Sequence, residues 1–291
     1  MKNPLIIMAF ALCLSSCEKA EQEDKEAARG AEKIPVSFTA EGFQQSVKEY
    51  GATASDLGLA REHLNYLYYY VFDADGKKVS SKVQIKGSTS NFGLIKDSLA
   101  TGEYQSVFIG STKPLSFNIS NFEESHLEYT ANSDNDVFYL LQPLTVLSTP
   151  YQESLDLPRI TGKLTYIIKD VIPANVAAIK IIRSTSSFYY FSGSVPASED
   201  SEYTIKLPAG HGPMTLDPLT LLALEDRGST NLNIIAYDAA NNVIANKAVS
   251  THKAKGNKEV IVSGNLFTEY PSFILNVDKD WSGDKEYINL P

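Results

Sequence analysis

Two cysteines near the start of the chain are the residues with the most distinctive chemistry. Cys17 follows an apolar run and precedes a series of carboxylates, and Cys13 lies inside the apolar run. A thiol at the position of Cys17 could be a nucleophile, a metal ligand, half of a disulfide or a point of attachment. If the apolar run is removed during export, Cys13 is lost with it, and Cys17 then has no cysteine partner for a disulfide or a CxxC site.

The remaining polar residues suggest no catalytic or metal site. His63, His126, His211 and His252 are dispersed, and none has a second His or Cys at ligand spacing. GxSxG, HExxH and P-loop motifs do not occur. The tetrapeptide DADG at positions 73–76 begins like a calcium loop but lacks the third acidic position and the later Glu, which favours a tight turn. We therefore expect a protein without cofactor or metal that is not an enzyme.

The composition bounds the class of partner and the size of the fold. The chain has 291 residues, of which 43% are hydrophobic and 21% charged, enough for one large domain or two of common size. Lys and Arg number 26 against 35 Asp and Glu, giving a net charge of −9. Phosphate binding needs clustered cations, so this balance argues against nucleic acid as a partner.

The first 16 residues have the layout of a signal peptide. Lys2 supplies a positive charge, Pro4 to Leu14 are mainly apolar, and small serines precede Cys17. A helix over that apolar run would span only about half of a bilayer core of roughly 30 Å, which argues against a permanent transmembrane helix. Leu14-Ser15-Ser16-Cys17 resembles the lipobox of bacterial lipoproteins, which implies lipid on the thiol, palmitate included, and an outer-membrane location. An ordinary signal peptide with an incidental cysteine and a reactive thiol are the alternatives.

Residues 17–33 are predicted to be a flexible acidic tether. After Cys17 the sequence EKAEQEDKEAARGAEK is charged and has no aromatic or β-branched side chain, so it cannot bury enough apolar surface to order itself. Acidic residues directly after a lipidated cysteine resemble the signal that sends lipoproteins to the outer face in Bacteroidetes-type bacteria. The alternative is a solvated linker without such a signal.

From Ile34 onward the pattern indicates an all-β protein. Short runs rich in Val, Ile, Tyr, Phe and Thr are broken by Gly, Asn, Asp and Pro every eight to twelve residues, which is typical of β-sandwiches. The segments Leu67 to Val83 and Leu232 to Ala248 resemble each other as strand, polar turn and strand. This internal similarity fits two domains of related topology, residues 34–156 and 157–291, with STPYQESLDLPR as the seam; convergent hairpins are the alternative.

The order of these segments resembles a known family. The lipobox, the acidic tether, IPVSFTAEGF, LYYYVFDADGKKV, LATGEYQSVFIGS, RITGKLTYIIKD and the closing GNLFTEYPSFILNVDKDW are similar to fimbrial subunit and anchor lipoproteins of Bacteroidetes-type bacteria. The resemblance implies two transthyretin-like β-sandwich domains of the immunoglobulin-like class. It also implies a role as a fimbrial anchor or minor subunit that contacts other subunits, outer-membrane lipid and a host or bacterial surface ligand.

Two segments could take part in strand exchange between such subunits. A sheet edge presents unpaired N–H and C=O groups, and a neighbour's strand can complete it while alternate side chains fill core pockets. The alternative is that both segments are ordinary terminal strands of their own domains. The alternating apolar residues of the two segments are Ile34, Val36 and Phe38, and Phe273, Leu275 and Val277.

Two arginines are candidates for proteolytic processing. In the stalk subunits of the family, an arginine-specific protease cuts between the tether and the body, and the cut removes the first strand. Cleavage after Arg29 would leave that strand attached, whereas cleavage after Arg61 would remove it. Surface arginines are common in linkers, and we favour a subunit that keeps its lipid.

The 16 Tyr and 13 Phe residues raise a second function, the capture of polysaccharide by a surface lipoprotein. In LNYLYYYVF both faces of the strand are apolar, which favours a packed central strand over a sugar-binding platform. The segment SFYYFSG, with Phe188 to Phe191, is expected to be exposed and is the remaining candidate for a glycan-binding face. Tyr189 and Tyr190 would then contact the sugar.

Overall fold

The computed structural model describes residues 32–42, 60–130, 133–185, 188–194, 199–225, 231–249, 254–268, 274–278 and 285–287. Within these ranges the fold is β throughout except for one short helix, α1 (Ala60–His63). The predicted all-β class is therefore confirmed. Over the same residues, no helix combines the length and the hydropathy that crossing a membrane would require.

The first half of the chain forms a sandwich of two sheets, which we call the first sandwich. One sheet has the order β4-β1-β9 and the other the order β3-β2-β5-β8, while β6 and β7 belong to a small separate sheet. The strands are β1 (Ile34–Gly42), β2 (Tyr66–Asp73), β3 (Lys78–Ile85), β4 (Leu94–Leu99), β5 (Gly102–Ser111), β6 (Ser116–Asn118), β7 (His126–Glu128), β8 (Val137–Val146) and β9 (Tyr151–Asp156).

The second half forms a similar pair of sheets, the second sandwich. Its sheets have the orders β14-β10-β17-β18-β19 and β13-β11-β15-β16, and β12 joins β7 and β6 to complete the small sheet, which we call the cover sheet. The strands are β10 (Thr161–Ile168), β11 (Ala178–Thr185), β12 (Phe188–Tyr190), β13 (Glu199–Lys206), β14 (Leu219–Leu224), β15 (Leu232–Tyr237), β16 (Val243–Val249), β17 (Glu259–Gly264), β18 (Ile274–Asp278) and β19 (Lys285–Tyr287).

The two sandwiches share one strand order. In the first, β1 lies between β4, to which it is antiparallel, and β9, to which it is parallel. In the second, β10 lies between antiparallel β14 and parallel β17 in the same way. The facing sheets also correspond, because β3-β2-β5-β8 and β13-β11-β15-β16 follow the same sequence of connections. The predicted domain bounds, 34–156 and 157–291, remain a prediction.

The internal sequence similarity does not mark equivalent strands. Its first copy is the β2–β3 hairpin, at one edge of its four-stranded sheet, and its second copy is the β15–β16 hairpin, at the opposite edge of the corresponding sheet. The topological counterpart of β2–β3 is β11–β13. The similarity therefore arises from convergent hairpins, the alternative that the sequence left open.

Both faces of β2 are buried, as the alternation predicts. Tyr69 and Val71 face the core between the two sheets of the first sandwich, and Tyr68, Tyr70 and Phe72 face the cover sheet. Full burial of an aliphatic or aromatic side chain contributes about 1.5–3 kcal/mol, so a strand buried on both faces is a main source of stability. The second sandwich has its own core around Leu164, Ile181 and Ile234.

The segment STPYQESLDLPR, predicted as the seam, contains the last strand of the first sandwich. Half of it is β9, which pairs with β1, and the side chains of β9 alternate between exposed and more buried, with Leu155 in the core and Glu153 half-buried. Only Leu157 to Ile160 cross to the second sandwich, paired with the start of β8. Polar residues on the inward face of β9 hid its period-two pattern in the sequence.

Candidate functional site

The groove that holds β1 is the candidate site for assembly, because β1 fills the middle of a sheet. Its main chain pairs with β4 on one side and β9 on the other, so that Val36 lies opposite both Asp97 and Tyr151. Ile34 and Val36 are buried and Phe38 has no exposed surface. Removal of this strand would open a groove with two unpaired strand edges and an apolar floor.

Aromatic rings line the deepest part of the groove. The Phe38 ring lies 5.0 Å from that of Phe108, 5.7 Å from that of Tyr69 and 5.8 Å from that of Tyr151, measured between centroids. The pairs are tilted or edge-to-face, the arrangements that aromatic quadrupoles favour. Phe38 is therefore the side chain whose removal would leave the largest void in the groove.

The predicted strand-exchange residues Ile34, Val36 and Phe38 thus lie in their own sandwich. Of the C-terminal set, β18 pairs with β17, with Leu275 opposite Val262 and Val277 opposite Val260. Phe273 lies outside the described residues. This is the intramolecular arrangement that the sequence left open as an alternative, and exchange between copies remains a prediction.

The modification and processing candidates lie on the chain before or beside β1. Cys17 and Arg29 are outside the described residues. The backbone of Arg61 lies in α1, three residues before Leu64. The Leu64 side chain is buried and packs on Gly110, where any Cβ would collide with it. A cut after Arg61 would therefore leave Leu64 in the first sandwich and separate β1 covalently from the rest of the chain.

The expected exposure of SFYYFSG is wrong for its central residues. Tyr189 is 3% exposed with its ring 4.9 Å from that of Tyr139, and Phe191 is fully buried against Phe72. The Tyr139 hydroxyl donates a hydrogen bond to the Phe191 carbonyl. The segment is buried because β12 pairs with β7 and covers the outer face of β2, a tertiary contact invisible to local pattern. Tyr190 is half-buried, so Tyr189 and Tyr190 do not form a glycan-binding face.

A cleft of about 880 Å³ lies instead at the end of the β2–β3 hairpin; we call it the turn cleft. The Asp73 carboxylate accepts hydrogen bonds from the backbone N–H of Asp75, at 3.1 Å, and of Lys77, at 2.9 Å, which confirms that this segment is a turn. The Phe122 N–H donates to the Gly76 carbonyl at 2.9 Å and holds a second loop beside the turn. The side chains available to a ligand include Asp75, Glu103, Tyr104, Phe122 and Glu123.

The turn cleft was missed from sequence because its walls are far apart in the chain. The turn at 73–76 was recognised, but nothing local indicates that the loop around Phe122 or the start of β5 would meet it. Tyr104, at the start of β5, donates its hydroxyl hydrogen to the Ala100 carbonyl at 3.0 Å, and its ring packs against the core between the two sheets of the first sandwich. Burial raises the pKa of Tyr104 above its ordinary value, so the hydroxyl is protonated at neutral pH.

A buried ion pair joins the two sandwiches. The Arg159 guanidinium lies 2.8 Å from the Asp136 carboxylate and 5.1 Å above the centroid of the Phe138 ring. Thr161, the first residue of β10, donates its hydroxyl hydrogen to the same carboxylate. Burial raises the pKa of Asp136 despite the opposing effect of Arg159. Such a pair fixes geometry more than it adds stability, because desolvation offsets much of the attraction.

The histidines are dispersed in the structure as in the sequence. Within the part of the chain that the structure describes, no group of three or more His, Cys, Asp or Glu residues could hold a metal ion; His252 lies outside it. The two ring nitrogens of His211 lie 2.6 Å from the Val176 carbonyl oxygen and 2.7 Å from the Gly212 carbonyl oxygen. These acceptors raise the pKa of His211.

Fold and site together define a protein of two β-sandwiches whose first strand fills a central groove. The model of a family of unknown function, DUF6562, matches residues 99–290. This chain therefore belongs to that family. No curated protein matches the sequence.

Solved structures with the same fold come from Bacteroides and Porphyromonas. A candidate polysaccharide-binding protein from Bacteroides thetaiotaomicron has a TM-score of 0.59 at 12% identity, covering 88% of this chain and 98% of that one. The fimbrial anchor protein Mfa2 from Porphyromonas gingivalis has a TM-score of 0.55 at 13% identity, covering 84% and 96%. A candidate adhesin from Bacteroides thetaiotaomicron has a TM-score of 0.54 at 11% identity, covering 89% and 99%. The predicted resemblance to Bacteroidetes-type fimbrial proteins is confirmed as a likeness of fold.

Proposed function

We propose that the chain is a non-enzymatic fimbrial protein of the cell surface, an anchor or minor subunit held in the outer membrane by acyl chains on Cys17. In this proposal residues 1–16 are removed as a signal, residues 17–33 form the tether, and residues 34–156 and 157–291 are the two domains. The likeness of fold to the fimbrial anchor protein Mfa2 supports the fimbrial role, and the Leu14–Cys17 motif supports the anchor.

The position of β1 is the observation that carries the assembly part of the proposal. A strand that fills the middle of a sheet and buries Phe38 completely can, when displaced, be replaced by a strand of similar pattern from another subunit. Main-chain hydrogen bonds would provide the affinity for an incoming strand. The pocket that Phe38 occupies would fix how that strand aligns with β4 and β9. The C-terminal segment with Phe273, Leu275 and Val277 has the alternation that such a donor needs.

Analysis of the mature N-terminus tests the anchor directly. We expect mass spectrometry to find an acylated peptide beginning at Cys17 in the outer-membrane fraction, and we expect Cys17→Ser to release the protein from that fraction. A start at Gly30 or Glu62 would instead indicate cleavage after Arg29 or Arg61 and loss of the lipid. An unacylated wild-type protein in the soluble fraction would contradict the proposal.

Polysaccharide capture is the second candidate function, and the turn cleft is the observation that favours it. Aromatic faces next to carboxylates and amides suit a sugar, whose C–H face stacks on rings while its hydroxyls take hydrogen bonds. Phe122 would supply the ring, and Asp75, Glu103 and Glu123 the acceptors. The likeness of fold to a candidate polysaccharide-binding protein supports this function as well.

A glycan array with matched variants tests this second function. If the cleft binds sugar, Phe122→Ala should abolish binding, and Glu123→Gln, at an exposed position, should weaken it without changing the melting temperature. Tyr190→Ala, in the segment SFYYFSG that the sequence left as a candidate face, serves as the control and should leave binding intact. Loss of binding in Tyr190→Ala alone would show that the sugar does not bind in the turn cleft. Absence of binding by the wild type would contradict polysaccharide capture as a function.

A further inference from the structure

Strand β3 combines an open edge with exposed aliphatic side chains. It is the terminal strand of its sheet; Lys77, which precedes it, bridges to Asn121, and at its other end the Ile85 N–H donates a hydrogen bond to the Thr89 hydroxyl. Val83 is 54% exposed and Ile85 is 43% exposed. They are two residues apart and opposite Tyr68 and Tyr66, so they lie on the same face of the sheet. Edge strands with exposed apolar rows are templates for pairing with another chain.

The opposite face of β3 is polar and basic. Ser80, Lys82 and Gln84 lie opposite Val71, Tyr69 and Leu67 and therefore point toward the interior of the sandwich. Lys82 keeps 40% of its side chain exposed, although its ammonium group lies 3.5 Å from the Asp97 carboxylate. A strand that paired with the edge of β3 would thus meet aliphatic side chains on one face and a lysine on the other.

Strand β13 has the complementary pattern at an equivalent place in the second sandwich. It is the terminal strand of its sheet within the described residues, paired along one edge with β11. One face carries Tyr203 and Ile205, which pack on the edge of the second core, and the other carries Asp200 and Glu202, with Lys206 at the end of the strand, all of them exposed. Glu202 lies 2.9 Å from the Lys180 ammonium group and keeps 47% of its side chain exposed.

We infer that β3 of one copy of this chain pairs edge to edge with β13 of a second copy. In this arrangement Val83 and Ile85 continue the apolar face formed by Tyr203 and Ile205, and Lys82 lies beside the carboxylates of β13. Because the two edges are different surfaces of one molecule, the contact is head-to-tail, and repeated copies form an open chain. Neither lipidation nor exchange of β1 enters this inference, so it fails or succeeds independently of the proposed function.

Charge favours this pairing over pairing of β3 with itself. Two copies of β3 would bring the lysines of both strands together, and like charges across a strand pair are destabilising. Another anionic edge strand, β9, offers Glu153, but that side chain is half-buried, whereas Asp200 and Glu202 are exposed although they too have partners of their own, Ser184 and Lys180. Asp200 and Glu202 are more exposed and stand on a strand with its own apolar face.

Sedimentation velocity of the full chain over a concentration series gives the first test. We expect the mean sedimentation coefficient to rise steadily with concentration, as an open chain requires. Val83→Lys should weaken association by roughly tenfold or more, because it places a charge within the apolar contact. The control is Val171→Lys, which changes an equally exposed valine away from the edge strands and should have no effect. A monomer at every concentration, or equal behaviour of the two variants, would overturn the inference.

Carbodiimide crosslinking of mixed unlabelled and ¹⁵N-labelled chains identifies the partner strand. The pairs Lys82–Asp97 and Lys180–Glu202 lie within one chain and should give crosslinked peptides of a single isotope, which serve as internal controls. We expect mixed-isotope peptides joining Lys82 to Asp200 or Glu202. Mixed peptides that join Lys82 to Glu153 or Asp156 instead would assign β9 as the partner and overturn the role of β13, as would the absence of any mixed peptide.

Discussion

The first strands of the two sandwiches occupy the same place but are held in different ways. Strand β10 is tied to β17 by side chains as well as by main chain: Thr165 donates a hydrogen bond to the Glu259 carboxylate at 2.6 Å, and the Lys163 ammonium group lies 3.1 Å from it. Strand β1 is held by main-chain pairing and the packing of Phe38. The sheet of β10 also continues through β18 and β19, whereas that of β1 ends at β9.

The difference bears on which strand the proposed exchange would involve. Residues 43–59 separate β1 from α1 in the chain, so a single cut there would detach β1 from the rest of the polypeptide. Strand β10, in contrast, begins just after Arg159, which pairs with Asp136. The hydroxyl of Thr161, the first residue of β10, donates a hydrogen bond to the same Asp136 carboxylate. The proposed exchange therefore concerns β1, whereas β10 has additional side-chain contacts that would oppose its removal.

The largest expected loss of stability comes from truncating one buried side chain in the core of each sandwich, on its first strand. Phe38→Ala should lower the free energy of unfolding of the first sandwich by about 3–5 kcal/mol, and Leu164→Ala should lower that of the second by about 2–5 kcal/mol. Amide hydrogen exchange, followed separately in β2 and β11, distinguishes the two effects. Equal loss of protection in both sandwiches from either change would contradict the view that each has its own core.

A smaller effect is expected where β10 is held by close packing. A Cβ at Gly162 would overlap the carbonyl oxygen of Lys255, so Gly162→Ala should cost about 1–3 kcal/mol as the backbone shifts. The matched control is Gly212→Ala, because open space surrounds that Cβ position. Chemical denaturation compares the two variants, and similar stabilities would mean that β10 is not held at this point.

The two convergent hairpins should tolerate exchange of their turn residues. Gly76 has φ of 76° and Asn241 has φ of 63° at equivalent positions, each three residues after an aspartate, Asp73 or Asp238, that caps the turn. Gly76→Asn should therefore change stability by less than about 1 kcal/mol, whereas Gly76→Val should cost more because a β-branched residue avoids this region. Thermal denaturation measures both, and equal losses would show that the turns differ.

The smallest effect is a pH dependence confined to the second sandwich. The pKa of His211 is raised because backbone carbonyls accept from its ring, so the folded state favours the protonated form. Its contribution is therefore fully present below the ordinary His pKa of about 6.5 and is lost as pH rises through the folded value. The stability difference between wild type and His211→Gln should shrink as pH rises. A difference that grows with pH would contradict this assignment.

Sequence patterns predicted what depends on near neighbours in the chain. The period-two strands, the two-faced burial of β2 and the turn at 73–76 all follow from local side-chain alternation and turn chemistry. Burial of Tyr189 and Phe191 was missed because it depends on β12 meeting β7, whose partner residues are some sixty positions away. The internal similarity fits two sandwiches of one strand order but lies in hairpins that are not equivalent, because a tight hairpin imposes the same residues wherever it occurs.

Exchange of β1 in a chain cut between β1 and α1 tests the central claim most directly. A specific protease site placed within residues 43–59 would sever the strand while leaving every described contact in place. Native mass spectrometry with an isotope-labelled peptide of residues 32–42 should then show the labelled strand replacing the original, and a peptide with Phe38→Glu should fail to do so. A cut protein that stays folded yet never takes up the labelled peptide would contradict the account.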